Sequence, residues 1–279
     1  VAALKRQIAG YYEGGSHARR AKPHTAQENR SPNASPQVAQ SVAPALHPAV
    51  TGTGPLAQPH APRVAIIIDD LGNNLSKDEQ FLPIGVPLTL AILPLTQHGR
   101  EFAQEAQAAG KPIILHLPMQ PISSDHDPGP GAITTSMSDQ QIMAQVEQDL
   151  ESLPPVPGAN NHMGSRGTSD PRVMRAVLAV FKSKGLFFID SETSNASIGA
   201  QMAREAGVQT AARDIFLDND VNEKAIEAQL FATERVALEH GQAIAIGHPF
   251  PETAQALSVM IPQMQAAGIE FVAAETLVK

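Results

Sequence analysis

The sequence predicts an α/β fold over residues 63–279, a distorted (β/α) barrel that is either complete or open at one side. Three observations carry this. From Arg63 onward, apolar runs of strand length alternate with amphipathic stretches of helix length. The strand runs are continuously apolar and rich in β-branched residues, as in parallel strands covered on both faces. No Gly-x-Gly-x-x-Gly follows any of them, which favours a barrel over its alternative, an open doubly wound sheet.

The first strand, within Arg63-Val-Ala-Ile-Ile-Ile-Asp-Asp-Leu-Gly72, ends on two adjacent carboxylates and a Gly turn. Leu88–Leu93 reads as the second strand, stopped by Pro94. Residues 98–109 read as a helix ended by Gly110, and 112–117 as the third strand. Ser138 and Gln141 form a capping-box signature, and the helix they open places Ile142, Val146, Leu150 and Leu153 on one face. Asp170-Pro171 is an N-cap with Pro at the first helical position; that helix carries Val173, Val177, Val180 and Phe181 to a stop at Gly185. Then follow a strand over 186–190, a helix over 197–206, a short strand over 215–217, a helix over 223–240, a strand over 243–247, a helix over 251–267 and a last strand over 270–272.

Residues 1–62 differ in kind. Between Ser31 and His60 there is no Asp, Glu, Lys or Arg, and Pro, Ala, Gln, Ser and Thr dominate. Such a segment buries too little apolar surface to offset its ordering entropy, so a disordered N-terminal segment is expected, a linker or membrane tether with a reach of roughly 40 Å. The chain opens without Met or a signal-like segment, and a processed or shortened product is expected.

Composition narrows the chemistry. The formal net charge is −8, and there is no Cys and no Trp. A disulfide framework, a thiolate nucleophile and a Cys metal site are excluded, and no nucleic-acid partner is expected. Catalysis has to come from Asp, His, Ser or Lys.

Those residues gather after the apolar runs. Asp69 and Asp70 end the first strand, and His116 stands in His116-Leu-Pro-Met119. Asn160-Asn-His-Met-Gly-Ser165 falls where a fourth strand should end. Asp190-Ser191 ends the next, Arg213-Asp214 and Asp218-Asn-Asp220 bracket another, and His248-Pro249 ends the late one. In a parallel barrel all of these converge on one rim, as a metal and acid-base site does. For Asp190 and Asp214 turn or helix capping is an equal alternative. Asp218-Asn-Asp220 lacks the Gly and Glu of a calcium loop, so a solvated turn is expected there. Lys77 and Glu79 read as surface, Met119 and Met163 as pocket walls.

As an ordered set, Ile-Asp69-Asp70-Leu-Gly72, His116-Leu-Pro-Met, Asn160-Asn-His-Met-Gly-Ser, Phe-Phe-Ile-Asp190-Ser, Arg213-Asp and Gly247-His248-Pro resemble the divergent branch of the polysaccharide deacetylase family over residues 63–279. The resemblance implies a distorted (β/α) barrel, a divalent metal held by one Asp and two His, with zinc first among candidates, and removal of an acetyl or similar acyl group from a carbohydrate of the periplasm or cell envelope. It makes Asp69 the general base, Asp70 a metal ligand and His248 the general acid. His116 and His162 complete the metal set, although the parent family draws both its His from one strand end. Its Arg-Pro-Tyr segment has no counterpart here, and Arg213 is the substitute. Asp190 or Asp214 would keep His248 protonated. A barrel that has lost catalysis and binds carbohydrate or protein is the alternative. With two Tyr and no Trp, a long aromatic groove is not expected.

Overall fold

In the computed structural model, which describes residues 61–279, the apolar runs become strands of one parallel sheet. The linker expected over residues 1–62 lies outside the described residues apart from its last two positions. β1 (Arg63–Leu71), β2 (Leu88–Ile92), β3 (Ile113–Met119), β4 (Gly158–Met163), β5 (Phe187–Asp190), β6 (Thr210–Ala212), β7 (Ile215–Phe216) and β8 (Gln242–Gly247) lie in the order β6-β5-β4-β3-β2-β1-β8-β7. β9 (Glu270–Phe271) adds to the start of β1. The order never reverses at a switch point, which removes the doubly wound alternative. β6 and β7 end the path and do not pair with each other, so the barrel is open at that seam.

The helices are α1 (Leu75–Asp78), α2 (Gly99–Ala108), α3 (Asp139–Glu151), α4 (Pro171–Lys184), α5 (Gly199–Ala206), α6 (Glu223–His240) and α7 (Pro251–Ala266). Local signals set their ends. The Ser138/Gln141 capping box forms as expected, Asp170 accepts from the N–H groups of Arg172 and Val173, and Gly185 closes α4 in the left-handed conformation.

Strand alternation divides the core in two. Val64, Ile66 and Ile68 on β1, Leu88, Leu90 and Ile92 on β2, and Ile113, Leu115 and Leu117 on β3 face outward, into a cluster with Phe102, Ile142, Val146, Phe181, Leu230 and Leu257 of the helices. The alternate residues, Ala65, Ile67, Ala91, Ile114, Phe187, Ile189, Phe216, Ile244 and Ile246, form a smaller inner cluster with Ala274 and Leu277 of the C-terminal segment. That segment crosses the base of the barrel: Ala274 N donates to Thr89 Oγ1, and Lys279 exchanges both backbone hydrogen bonds with Thr210.

Two residues further along β1, β3, β5, β7 and β8, the inward set turns polar, while on β2 Ala91 is followed by the apolar Leu93. Asp69 follows Ile67, His116 follows Ile114, Ser191 follows Ile189, Asp218 follows Phe216 and His248 follows Ile246. The fold therefore places an apolar plug beneath a ring of buried polar groups at the carboxyl ends of the strands.

Candidate metal and acid-base site

Alternation explains one carboxylate of the Asp pair and not the other. With Ile67 inward, Asp69 is inward and Asp70 should turn toward the helices. Instead Asp70 adopts left-handed backbone, φ +62°, and the pairing of β1 with β2 shifts register between Ile68 and Leu71. The irregularity re-aims the side chain so that both carboxylates reach one site. Leu95 after β2, Met163 at the end of β4 and Glu192 after β5 are also left-handed, with φ of +55°, +50° and +46°. Such backbone costs a non-Gly residue roughly 1–2 kcal/mol each.

Asp70 Oδ1 lies 2.7 Å from His162 Nδ1 and 3.1 Å from His116 Nε2. The three donor atoms all fall within 4.8 Å of one another. The two His come from different strands made neighbours by the sheet: β3 pairs with β4, and Pro118 stands opposite His162. One carboxylate oxygen with two imidazole nitrogens fits a zinc-like ion and leaves coordination positions open.

Two further groups flank this set. Asp69 Oδ2 is 3.7 Å from His116 Nε2, and His248 Nε2 is 3.9 Å from Asp70 Oδ2. All five side chains line one cavity of about 290 Å³, whose walls include Pro94, Asp127, Met163 and Phe250. Lys77, expected at the surface, is half-buried on this wall, while Glu79 is exposed. Met163 is a wall as expected; Met119 lies in the outer core instead.

Burial pushes the Asp69 carboxyl above the usual range, against the pull of His116 and His248. Asp70 is half-buried, and the charge of His162 and the hydrogen bonds from both imidazoles outweigh its desolvation and hold it well below that range. For His248 burial opposes the cation, yet Asp218 prevails, with help from Asp70 and Asp69, and the imidazole is pushed up to about 9.

Asp218 is the residue that sequence reasoning misplaced. A solvated turn describes the exposed Asn219 and Asp220, but Asp218 is fully buried. Its Oδ1 is 2.9 Å from His248 Nδ1, and its Oδ2 accepts from His248 N at 2.6 Å and Thr253 Oγ1 at 2.8 Å. Thus Asp218, rather than Asp190 or Asp214, is the partner of His248. Asp190 has outward parity: its Oδ2 accepts from Ser197 Oγ and from Ala200 N, capping α5, and its Oδ1 accepts from Glu192 N. Exposed Asp214 accepts from Ile244 N. Arg213 donates to the carbonyls of Ser191 and Glu192 and lies over the Phe216 ring, 5.3 Å from its centroid. None of these three is on the cavity wall.

A buried amide joins the two halves of the site. Asn160 Nδ2 donates to Asp69 Oδ1 at 2.8 Å and to Ser191 Oγ at 3.1 Å, and its Oδ1 is 2.8 Å from His116 Nδ1.

A family model described as divergent polysaccharide deacetylase matches residues 66–278. An uncharacterized protein of Haemophilus influenzae is 38% identical over 192 residues, 68% of this chain and 68% of its own. The uncharacterized protein YibQ of Escherichia coli is 33% identical over 201 residues, 72% of this chain and 63% of its own, so the match spans about two thirds of each relative. Among solved structures, an uncharacterized protein from Agrobacterium tumefaciens superposes with a TM-score of 0.76 at 25% identity, covering 80% of this chain and 92% of that one. The catalytic domain of a peptidoglycan N-acetylglucosamine deacetylase from Eubacterium rectale shares the fold, with a TM-score of 0.51 at 13% identity over 80% of this chain and 92% of that one.

Proposed function

This chain belongs to the divergent polysaccharide deacetylase family, and from that premise we propose that residues 63–279 form a metal-dependent hydrolase that removes an acetyl or similar acyl group from an envelope carbohydrate. The observation that carries the reading is the meeting of Asp70, His116 and His162 donor atoms beside Asp69 and His248 in one cavity. A divalent cation held by Asp70, His116 and His162, zinc first among candidates, would supply Lewis acidity toward water and the acyl carbonyl.

The chain's own groups would divide the proton work. Asp69, its basicity raised by burial, would accept the proton of the attacking water. His248 turns Nδ1 to Asp218 and leaves Nε2 toward the cavity. The proton that Asp218 helps it hold would pass from Nε2 to the departing nitrogen or oxygen. Asp190, Arg213 and Asp214, engaged with α5, two carbonyls and β8 respectively, are left out of the proposed catalytic set. The modest cavity and the scarcity of Tyr and Trp support a short glycan or one presented end-on. The proposal includes location: the uncharged stretch 31–60 would tether the domain in the periplasm or cell envelope, which fractionation of cells producing the full chain checks.

The test begins with metal. Elemental analysis of the purified protein should give near one equivalent of zinc or a similar ion, lost in Asp70→Ala and His162→Ala. Acetate release from acetylated hexosamine oligomers should then require Asp69, with Asp69→Asn keeping the metal and losing turnover. No metal after incubation with zinc, cobalt, manganese and nickel salts would overturn the mechanism. Bound metal without acyl release from any acetylated glycan would favour the binding-module alternative.

A further inference from the structure

The buried amide of Asn160 has its orientation fixed by its surroundings. An ionised Asp69 has only acceptors, so the side-chain nitrogen of Asn160, and not its oxygen, must stand 2.8 Å from Asp69 Oδ1. The second hydrogen of that nitrogen is taken by Ser191 Oγ. Ser191 is itself held, because its backbone N–H donates to Asn161 Oδ1 at 2.9 Å. The amide oxygen of Asn160 is left facing His116 Nδ1 at 2.8 Å. A carboxamide oxygen can only accept, so Nδ1 carries the hydrogen. In a neutral His116 the lone pair then sits on Nε2, the nitrogen that faces Asp70 Oδ1 and the cluster of donor atoms.

We infer that Asn160 is a positioning residue that sets two parts of the site with one side chain. It presents His116 as an Nε2 donor to a metal ion, and it holds the Asp69 carboxylate at the edge of the donor set. The inference rests on the proposed metal-dependent reading and deepens it; its first half concerns ligation and stands without turnover. The register of the sheet makes the arrangement possible, since Asn160 pairs directly with His116 across β3 and β4. His162, two residues on, has the same parity as Asn160, so one strand supplies both a metal ligand and the support for the other imidazole. Outer partners of this kind typically change metal affinity 10–100-fold when removed.

Three measurements test it. In zinc-loaded wild type, ¹⁵N NMR of the His side chains should show His116 bound through Nε2 with hydrogen on Nδ1; ligation of His116 through Nδ1 would overturn the inference. Zinc affinity by chelator competition should fall 10–100-fold in Asn160→Ala. In Asn160→Asp, which keeps an acceptor for His116 and replaces the donor to Asp69 by a like charge, affinity should stay within a few-fold of wild type while kcat falls and KM is held. Unchanged zinc affinity in a folded Asn160→Ala, or equal loss of affinity in both variants, would overturn it. If either variant fails to fold, the wild-type spectrum and the remaining variant still decide the ligation half. If wild type binds zinc but releases no acetate, the hydrolase reading falls and the zinc affinities judge Asn160 by themselves.

Discussion

Replacing Asp218 by Asn should move the proton of His248 and, with it, the pH dependence of stability. Asp218 gives His248 two hydrogen bonds and a buried negative charge. In Asp218→Asn the amide oxygen can take the place of Oδ2, still accepting from His248 N and Thr253 Oγ1. The amide nitrogen then faces His248 Nδ1, which must lose its hydrogen, so the neutral imidazole is favoured. In the native chain His248 is pushed from 6.5 up to about 9. That displacement corresponds to about 3 kcal/mol at ~1.36 kcal/mol per pH unit. Asp70 and Asp69 contribute to it as well, so 3 kcal/mol is roughly the ceiling for Asp218 alone. The sign follows from linkage: a raised His pKa means that the native state binds the proton more tightly than the unfolded chain. The stabilisation is full below pH 6.5 and is lost as pH rises through about 9. Urea unfolding of chelator-treated protein should therefore find Asp218→Asn less stable by about 1–3 kcal/mol at pH 6, with the gap closing toward pH 10. NMR titration of the same samples should place the His248 midpoint at least ~1 pH unit lower in the variant. A midpoint that stays near 9, or a stability difference equal at both pH values, would refute the reasoning.

Two further outcomes can be read from buried groups away from the cavity. Asp149 is fully buried near the end of α3, and among the described residues it has a single side-chain partner, Gln145 Nε2 at 2.9 Å, and an Oδ2 that has none. Burial pushes it from 3.8 up to about 7, so the native state loses stability as pH climbs between those values; Asp149→Asn should gain ~1–4 kcal/mol in urea unfolding at pH 8 and nothing at pH 4, and an equal gain at both would contradict the assignment. A Cβ at Gly158 would come within 2.5 Å of the Phe187 ring, so Gly158→Ala should push β4 from β5 and cost about 1–3 kcal/mol, seen as a lowered Tm, which an unchanged melting curve would rule out.

Much of this was legible because the signals are local. The apolar runs of β1, β2, β3 and β8, the Ser138/Gln141 box and the Asp170-Pro171 start are each written within a few residues. β6 was missed because Thr210-Ala-Ala offers three residues and no bulky side chain, and α1 because one turn has no period to detect. Membership of the site followed a subtler rule. Asp69, His116 and His248 belong to it because they continue the inward row of Ile67, Ile114 and Ile246. That rule cannot be applied from sequence to Leu186-Phe-Phe-Ile-Asp190, since a strand apolar on both faces hides which face is inward. Asp190 turned out to have outward parity, and Ser191 inward. Asp218 escaped because β7 is only two residues long. Asp70 breaks the rule altogether, and only its backbone φ reveals why. The pairing of His116 with His162 depends on which strands adjoin, and no local pattern encodes that.

The two ends of the barrel differ in a way that bears on function. At the base, the inner cluster closes with Ala274 and Leu277 and the backbone of the C-terminal segment is satisfied by Thr89 and Thr210. At the rim, four strand ends carry left-handed non-Gly residues, and Asp69, His116, Asp218 and His248 are each almost entirely removed from water. Apolar residues on ordinary backbone would stabilise a barrel at least as well. Left-handed backbone costs roughly 1–2 kcal/mol per residue, and buried ion pairs are often no better than apolar residues of the same size. Rows that begin Ala65-x-Ile67 and Ile244-x-Ile246 could have continued apolar to the top, as their lower positions do. The outer core, where helices cover β1 to β5 and β8, supplies the apolar burial that offsets these costs, and they fall on one rim. Strain and buried charge gathered there, around three donor atoms and a cavity, are the pattern of a site held in a prearranged geometry for a ligand. Asp70 shows the pattern most strongly, since its strained backbone brings a second carboxylate to a position that strand alternation alone would have denied it.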